Sequence, residues 1–161
     1  MLKIKLFKQS ASFCGPASLK MVLGYFGVKI SEKKVAEFTQ TKKYHGTPAP
    51  QIVQGAKKLG FEAFLKDCAS WKDLYFWVNK NKVPVIVNWH SEYMSHYSVV
   101  VGINKERIWI LDPEDGKKKS FSKFKFHCIW FNFTGVPYPD SSKDLRIRRM
   151  VVVYPNTYNT Y

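Results

Sequence analysis

The chain opens with Met-Leu-Lys-Ile-Lys-Leu-Phe-Lys, in which apolar residues and lysines alternate. A period of two predicts a strand over residues 2–7. From Cys14 the period lengthens. Leu19, Val22, Leu23 and Phe26 recur at helical spacing and Gly27 ends the run, which predicts a helix over 14–26. Ser31 is placed to cap a second helix that runs through Phe38, and a loop spans 39–47. Pro48 or Pro50 opens a third helix, with Ile52, Val53, Ala56 and Leu59 on one face and Gly60 at its end. Residues 61–65 read as a short strand, and Ser70 with Asp73 resembles a capping box for a helix through Lys80.

The second half is richer in β signals. Residues 83–89 are almost continuously apolar, as in a buried strand. Two β-rich runs, 96–103 and 106–111, flank Asn104-Lys105 and predict a hairpin. Residues 121–130 fit either helix or strand, and 146–154 close the chain as a strand. Helices first and an antiparallel sheet second is the α+β pattern, with a cleft where the two halves meet.

Composition narrows the class. At 161 residues the chain suits one domain, 1–161, with a core of its own. Hydrophobic residues at 45% and aromatics at 16% exclude extensive disorder. No apolar run approaches the ~20 residues of a membrane span, and the first eight residues lack the apolar core of a signal peptide. A cytoplasmic location is expected. Three cysteines, Cys14, Cys68 and Cys128, are an odd number without Cys-x-x-Cys spacing. That speaks for a free thiol rather than a disulfide framework or zinc site. Cys68 and Cys128 are expected to be packing residues. The net charge of +14 comes from scattered lysines with short clusters at 117–119 and 146–149. A well-solvated surface accounts for it, with weak attraction to polyanions or anionic membranes as the other reading. Nothing in the sequence sets an oligomeric state.

The candidate chemistry lies in three places. Cys14, followed by Gly15-Pro16-Ala17, sits at a helix start, where the positive end of the macrodipole favours a thiolate. Gly15 is expected to keep the approach open, and Pro16 suits the first turn. Gln9 is placed to donate its side-chain amide beside the Cys14 N–H, forming an oxyanion hole. His96 begins one hairpin strand and Asp112 ends the other. A three-residue loop at 103–105 sets His96 opposite Asp112, whereas a two-residue loop sends Asp112 to the other face unless a bulge compensates. Of the other histidines, His90 is the fallback base, His45 lines a loop or rim, and His127 belongs to an aromatic stretch. Trp89, His90 and Tyr93 are expected along one wall of the cleft, with Gly46 and Thr47 on the opposite rim. Walker, Gly-x-Gly-x-x-Gly and His-Glu-x-x-His motifs are absent, so no metal, nucleotide or other cofactor is called for.

In order, Gln9, Cys14-Gly15-Pro16-Ala17, His96-Tyr97-Ser98-Val99-Val100-Val101 and Asp112-Pro113 resemble the pattern of the C39 and C39-like cysteine peptidases, a papain-like group. The likeness spans nearly the whole chain. It implies a papain-like fold, with Cys14 as nucleophile, His96 as base, Asp112 as orienter and Gln9 in the oxyanion hole, acting on a peptide or protein substrate. Two departures stand out. Four residues separate Gln9 from Cys14, one fewer than papain-like enzymes usually have. The 161 residues hold no transporter sequence, so cleavage after a double glycine is not expected to carry over. A non-catalytic module gripping peptides or polyanions, and a transamidase using the same triad, remain the alternatives.

Overall fold

The computed structural model describes residues 1–43, 45–91, 94–133 and 139–157. Three helices come first: α1 (Cys14–Tyr25), α2 (Glu32–Phe38) and α3 (Ala49–Lys58). The local signals act as read. The Ser31 side chain accepts from the Lys34 N–H, Pro48 and Pro50 flank the start of α3, and Gly27 and Gly60 take the left-handed conformation past the helix ends. Ser70 and Asp73 form the reciprocal capping box of α4 (Trp71–Tyr75), which continues as a π-helical turn, Phe76–Lys80.

The strands are β1 (Phe61–Lys66), β2 (Val85–Ser91), β3 (Met94–Ile103), β4 (Arg107–Asp112), β5 (Lys117–Ser122) and β8 (Arg149–Pro155). They form one antiparallel sheet in the order β1-β8-β2-β3-β4-β5. The segment 121–130, ambiguous in sequence, ends β5 and then forms α5 (Lys123–Ile129). The expected C-terminal strand is two: β7 (Leu145–Ile147), paired with β6 (Phe131–Phe133), and then β8 after a break at Arg148, whose φ is +47°. Among the described residues no helix is long and apolar enough to cross a membrane.

The central strands of the sheet, β8, β2, β3 and β4, are buried on both faces. Ile86, Tyr97, Val99, Val151 and Val153 pack with the residues of α1, α2 and α3. Val85, Val87, Val100, Ile110 and Met150 pack on the other side with Leu74 of α4 and Phe126 of α5. Double coverage is why residues 83–89 read as an almost continuously apolar run.

Two expectations need correction. Residues 2–7 are extended but form no strand. Leu2, Ile4 and Leu6 lean on the helical-side core while Lys3 and Lys5 face solvent. The segment crosses the face of the sheet, where β3 already pairs with β2 and β4, so no ladder is open to it. Its Leu2 N–H donates to the Val101 carbonyl at 2.7 Å. The hairpin register also differs. Asn104 pairs with Arg107, the tip is Lys105-Glu106, and Ile103 stands opposite Ile108. That even loop alone would put His96 and Asp112 on opposite faces. A β-bulge between Val100 and Gly102 restores them: Val101 faces α1, while Ile103, two residues on, faces the other side. Val99 then pairs with Leu111, so Asp112 falls beside Ser98, two residues from His96, rather than directly opposite it.

Candidate active site

Cys14 is the first residue of α1, whose N-cap, Phe13, offers no side-chain hydrogen bond and whose first turn holds no acidic residue. The first N–H groups of the helix and its positive end are left uncompensated beside the sulfur. The approach to α1 is a tight turn. Phe13 N–H donates to the Ser10 carbonyl at 3.1 Å, and Ser12 takes a left-handed φ of +66°. This turn accommodates the short spacing between Gln9 and Cys14. Gln9 is anchored by its N–H to the Pro113 carbonyl at 2.8 Å, and its side-chain oxygen is buried without a hydrogen-bond partner among the described residues.

His96 is 3% exposed and Asp112 is fully buried. His96 Nε2 and Asp112 Oδ1 lie 2.6 Å apart, which leaves Nδ1 for another partner. Burial works against protonation of His96. The hydrogen bond to Asp112 and then the neighbouring Cys14 sulfur outweigh it and raise its pKa to about 9. Burial, which on its own lowers the pKa of His96, raises that of the Tyr97 phenol, with the charge of Cys14 adding to the effect. Cys14 therefore sits within electrostatic reach of two adjacent residues of β3. Asp112 is pushed up by burial and pulled down further by His96, Lys119 and the Glu114 N–H, to about 2. Trp89 stands beneath, directly across from His96, its ring edge-on to the imidazole at 5.7 Å and its Nε1 donating to Ser98 Oγ at 3.0 Å. It is 5% exposed, so it walls off the imidazole from water rather than lining an open groove.

The sequence of this chain is matched over residues 3–140 by the model of the peptidase C39 family. The chain belongs to this family. As a C39 chain it is 32% identical over 127 residues to the lactococcin-G-processing and transport ATP-binding protein LagD of Lactococcus lactis subsp. lactis, covering 76% of this chain and 17% of that protein. It thus spans about a sixth of the length of that curated relative. Its fold matches the crystal structure of the peptidase domain of Streptococcus ComA, a bi-functional ABC transporter involved in a quorum-sensing pathway. The TM-score is 0.72 at 28% identity, over 96% of this chain and 99% of that one. A double glycine motif protease from an AMS/PCAT transporter, solved in complex with the leader peptide, shares the fold at a TM-score of 0.71 and 21% identity, over 96% and 93%.

In this C39 chain the remaining sequence-based candidates divide. Thr47 is buried at 6% exposure, under the start of α1 rather than on a rim. Gly15 is also buried. A Cβ added there would meet Thr47 Cβ at 2.8 Å, so the glycine serves close packing and not an open approach. Gly46 is partly exposed, with a φ of +66° and a bridge to Lys42. His90 stacks on Phe131 at 5.2 Å. Tyr93 lies outside the described residues. Cys68 and Cys128 are free and exposed, not packing residues. His127 stacks on Trp71 at 5.4 Å.

Two residues escaped the sequence reading. Lys119 Nζ contacts Asp112 Oδ2 at 2.6 Å. Its signal was the Lys-x-Lys period of β5 beside the Asp-Pro turn, which points to Asp112 only once the β4–β5 register is known. Glu32 accepts from both Ser10 N–H at 3.0 Å and Ser10 Oγ at 2.5 Å, tying the Gln9 turn to α2. A contact across 22 residues leaves no sequence signal.

Proposed function

We propose that this chain is a thiol peptidase domain in which Cys14 is the nucleophile, His96 the proton carrier, Asp112 the group that orients His96, and Gln9 with the Cys14 N–H the oxyanion hole. One observation carries the reading: a buried His–Asp pair at 2.6 Å lies beside a cysteine at an uncapped helix start. The ionised Cys14 sulfur attacks the carbonyl carbon of a peptide bond, and the negative charge moves to the oxygen, facing the oxyanion donors. As the C–N bond breaks, His96 Nδ1 gives its proton to the departing amine, leaving a thioester on Cys14. Water then attacks the thioester while His96 takes its proton, and the acid and the ionised sulfur are released. Asp112 keeps Nε2 occupied throughout, so the ring turns Nδ1 to the sulfur.

The substrate in this proposal is a peptide processed at a leader, as the name of LagD and the leader-bound relative suggest. A hollow of about 590 Å³ between the N-terminal segment and the far half of α1 supports it. Leu6, Phe7, Met21 and Val28 wall it, and Lys5 and Lys29 line its rim. Such a surface suits an apolar stretch with acidic neighbours. Three free thiols are consistent with work in a reducing, cytoplasmic compartment.

The test is incubation of the chain with a precursor peptide whose leader segment ends in a double glycine and is followed by further residues, and analysis of the products by mass spectrometry. Cleavage that disappears in Cys14→Ala and falls at least ~10²-fold in His96→Ala is the expected result. Peptide binding without cleavage, unchanged by Cys14→Ala, would assign the fold to a binding module instead.

A further inference from the structure

Asp112 is fully buried, and a buried carboxylate needs charged or hydrogen-bonding partners on every lone pair. Oδ1 accepts from His96 Nε2 at 2.6 Å and from the Glu114 N–H at 3.0 Å. Oδ2 faces Lys119 Nζ at 2.6 Å. The sheet fixes that contact. Asp112 pairs with Lys117 and Ile110 with Lys119, so Lys119 lies diagonally across from Asp112 on the same face. Asp115 Oδ2, 3.1 Å from Nζ, holds the ammonium from its other side.

We propose that Lys119 is a positioning residue of the active site: its ammonium group holds Asp112 ionised and aimed at His96 through the whole reaction cycle. This inference rests on the peptidase reading above. His96 cannot do the work alone. It is cationic at rest but neutral after it has protonated the leaving amine, and at that point Lys119 is the positive charge still touching Asp112. An ionised, correctly aimed Asp112 is what makes the neutral imidazole a competent base when water attacks the thioester. Lys119 is suited to this because its side chain stays one-third exposed and keeps part of its hydration while its tip reaches a buried oxygen. The charged groups around Asp112 are His96 on β3, Glu114 and Asp115 in the turn after β4, and Lys117 and Lys119 on β5, with Cys14 beyond the imidazole. Burial opposes the charge on Lys119, and its bonds to Asp112 and Asp115 overcome that and raise its pKa, so it stays charged across the neutral range.

The test compares Lys119→Met and Lys119→Arg with the unaltered chain. Cys14 alkylation by iodoacetamide is followed site by site by mass spectrometry between pH 3.5 and 8, alongside kcat and KM on the precursor peptide. Lys119→Met should move the acid edge of Cys14 alkylation upward by about one pH unit and lower kcat about tenfold, with KM within about twofold. Lys119→Arg should keep the edge and most of kcat. If Lys119→Met fails to fold, Lys119→Gln, which keeps a donor but no charge, carries the same expectation. An unshifted edge with unchanged kcat in Lys119→Met overturns the inference. So does an arginine variant as impaired as the methionine one. Alkylation needs no substrate, so a chain that shows the shift but cleaves nothing refutes the peptidase reading and keeps only the hold of Lys119 on Asp112.

Discussion

Replacing Gly15 with alanine tests how tightly the start of α1 is located. The added Cβ would stand 2.8 Å from Thr47 Cβ, 2.9 Å from its Oγ1 and 3.4 Å from Ile52 Cδ1. Comfortable carbon contacts begin near ~3.5 Å, so something must shift by about 0.7 Å. Thr47 is poorly placed to yield. Its Oγ1 is 2.7 Å from Thr41 Oγ1, which is 2.7 Å from Thr39 Oγ1, which in turn donates to the Val35 carbonyl at 2.9 Å. The helix start therefore moves, and Cys14 moves with it, while His96 stays fixed by the sheet. Overpacking of this kind costs roughly 1–3 kcal/mol, and the better helix propensity of alanine offsets less than about 1 kcal/mol. Gly15→Ala should thus lose about 1–2 kcal/mol in urea unfolding. The larger effect should be on kcat, which a sub-ångström misplacement of the nucleophile lowers about tenfold to ~10²-fold. Gly15→Ala/Thr47→Gly, which clears the space, should recover most of the lost activity. A Gly15→Ala variant with unchanged kcat and stability within about 0.5 kcal/mol would refute the idea that this contact sets the position of Cys14.

Two further outcomes follow from the site. Glu32→Ala removes both acceptors of Ser10 and frees the Gln9 turn; kcat on the precursor peptide should fall about tenfold with KM little changed, and Glu32→Gln should recover part of it. His96 has a folded-state pKa raised from 6.5 to about 9. The stability it contributes is complete below about pH 6.5 and is lost as pH rises through about 9. Urea unfolding of the unaltered chain should therefore weaken between pH 6 and pH 10 by roughly 3 kcal/mol more than that of His96→Gln, and equal losses would contradict the ionised pairing.

Local chemistry wrote itself plainly into this sequence. Ser31, the Ser70–Asp73 box, Gly27 and Gly60 each fix a helix end through groups within a few residues, so each was legible. The His96–Asp112 pair was legible as a pairing because hairpin strands bring their far ends together. Its register was not, since the bulge at Val101 depends on the Leu2 segment and on the packing on both faces of the sheet. Residues 2–7 misled for a related reason. Alternation records which side chains are buried, and an extended strap lying on a core alternates as a strand does. Thr47, Glu32 and Lys119 owe their roles to contacts between elements, and type and spacing alone carry no trace of those.

The irregularity at Val101 acts as a parity lock on the chain's history. The Lys105-Glu106 tip stands away from the working end of the hairpin and is free to vary in composition. A gain or loss of a single residue between Gly102 and Leu111 would turn the carboxyl group of residue 112 toward the α1 side, away from the imidazole. Descendants of this gene can lengthen that arm by twos, or must gain a second kink in the same event.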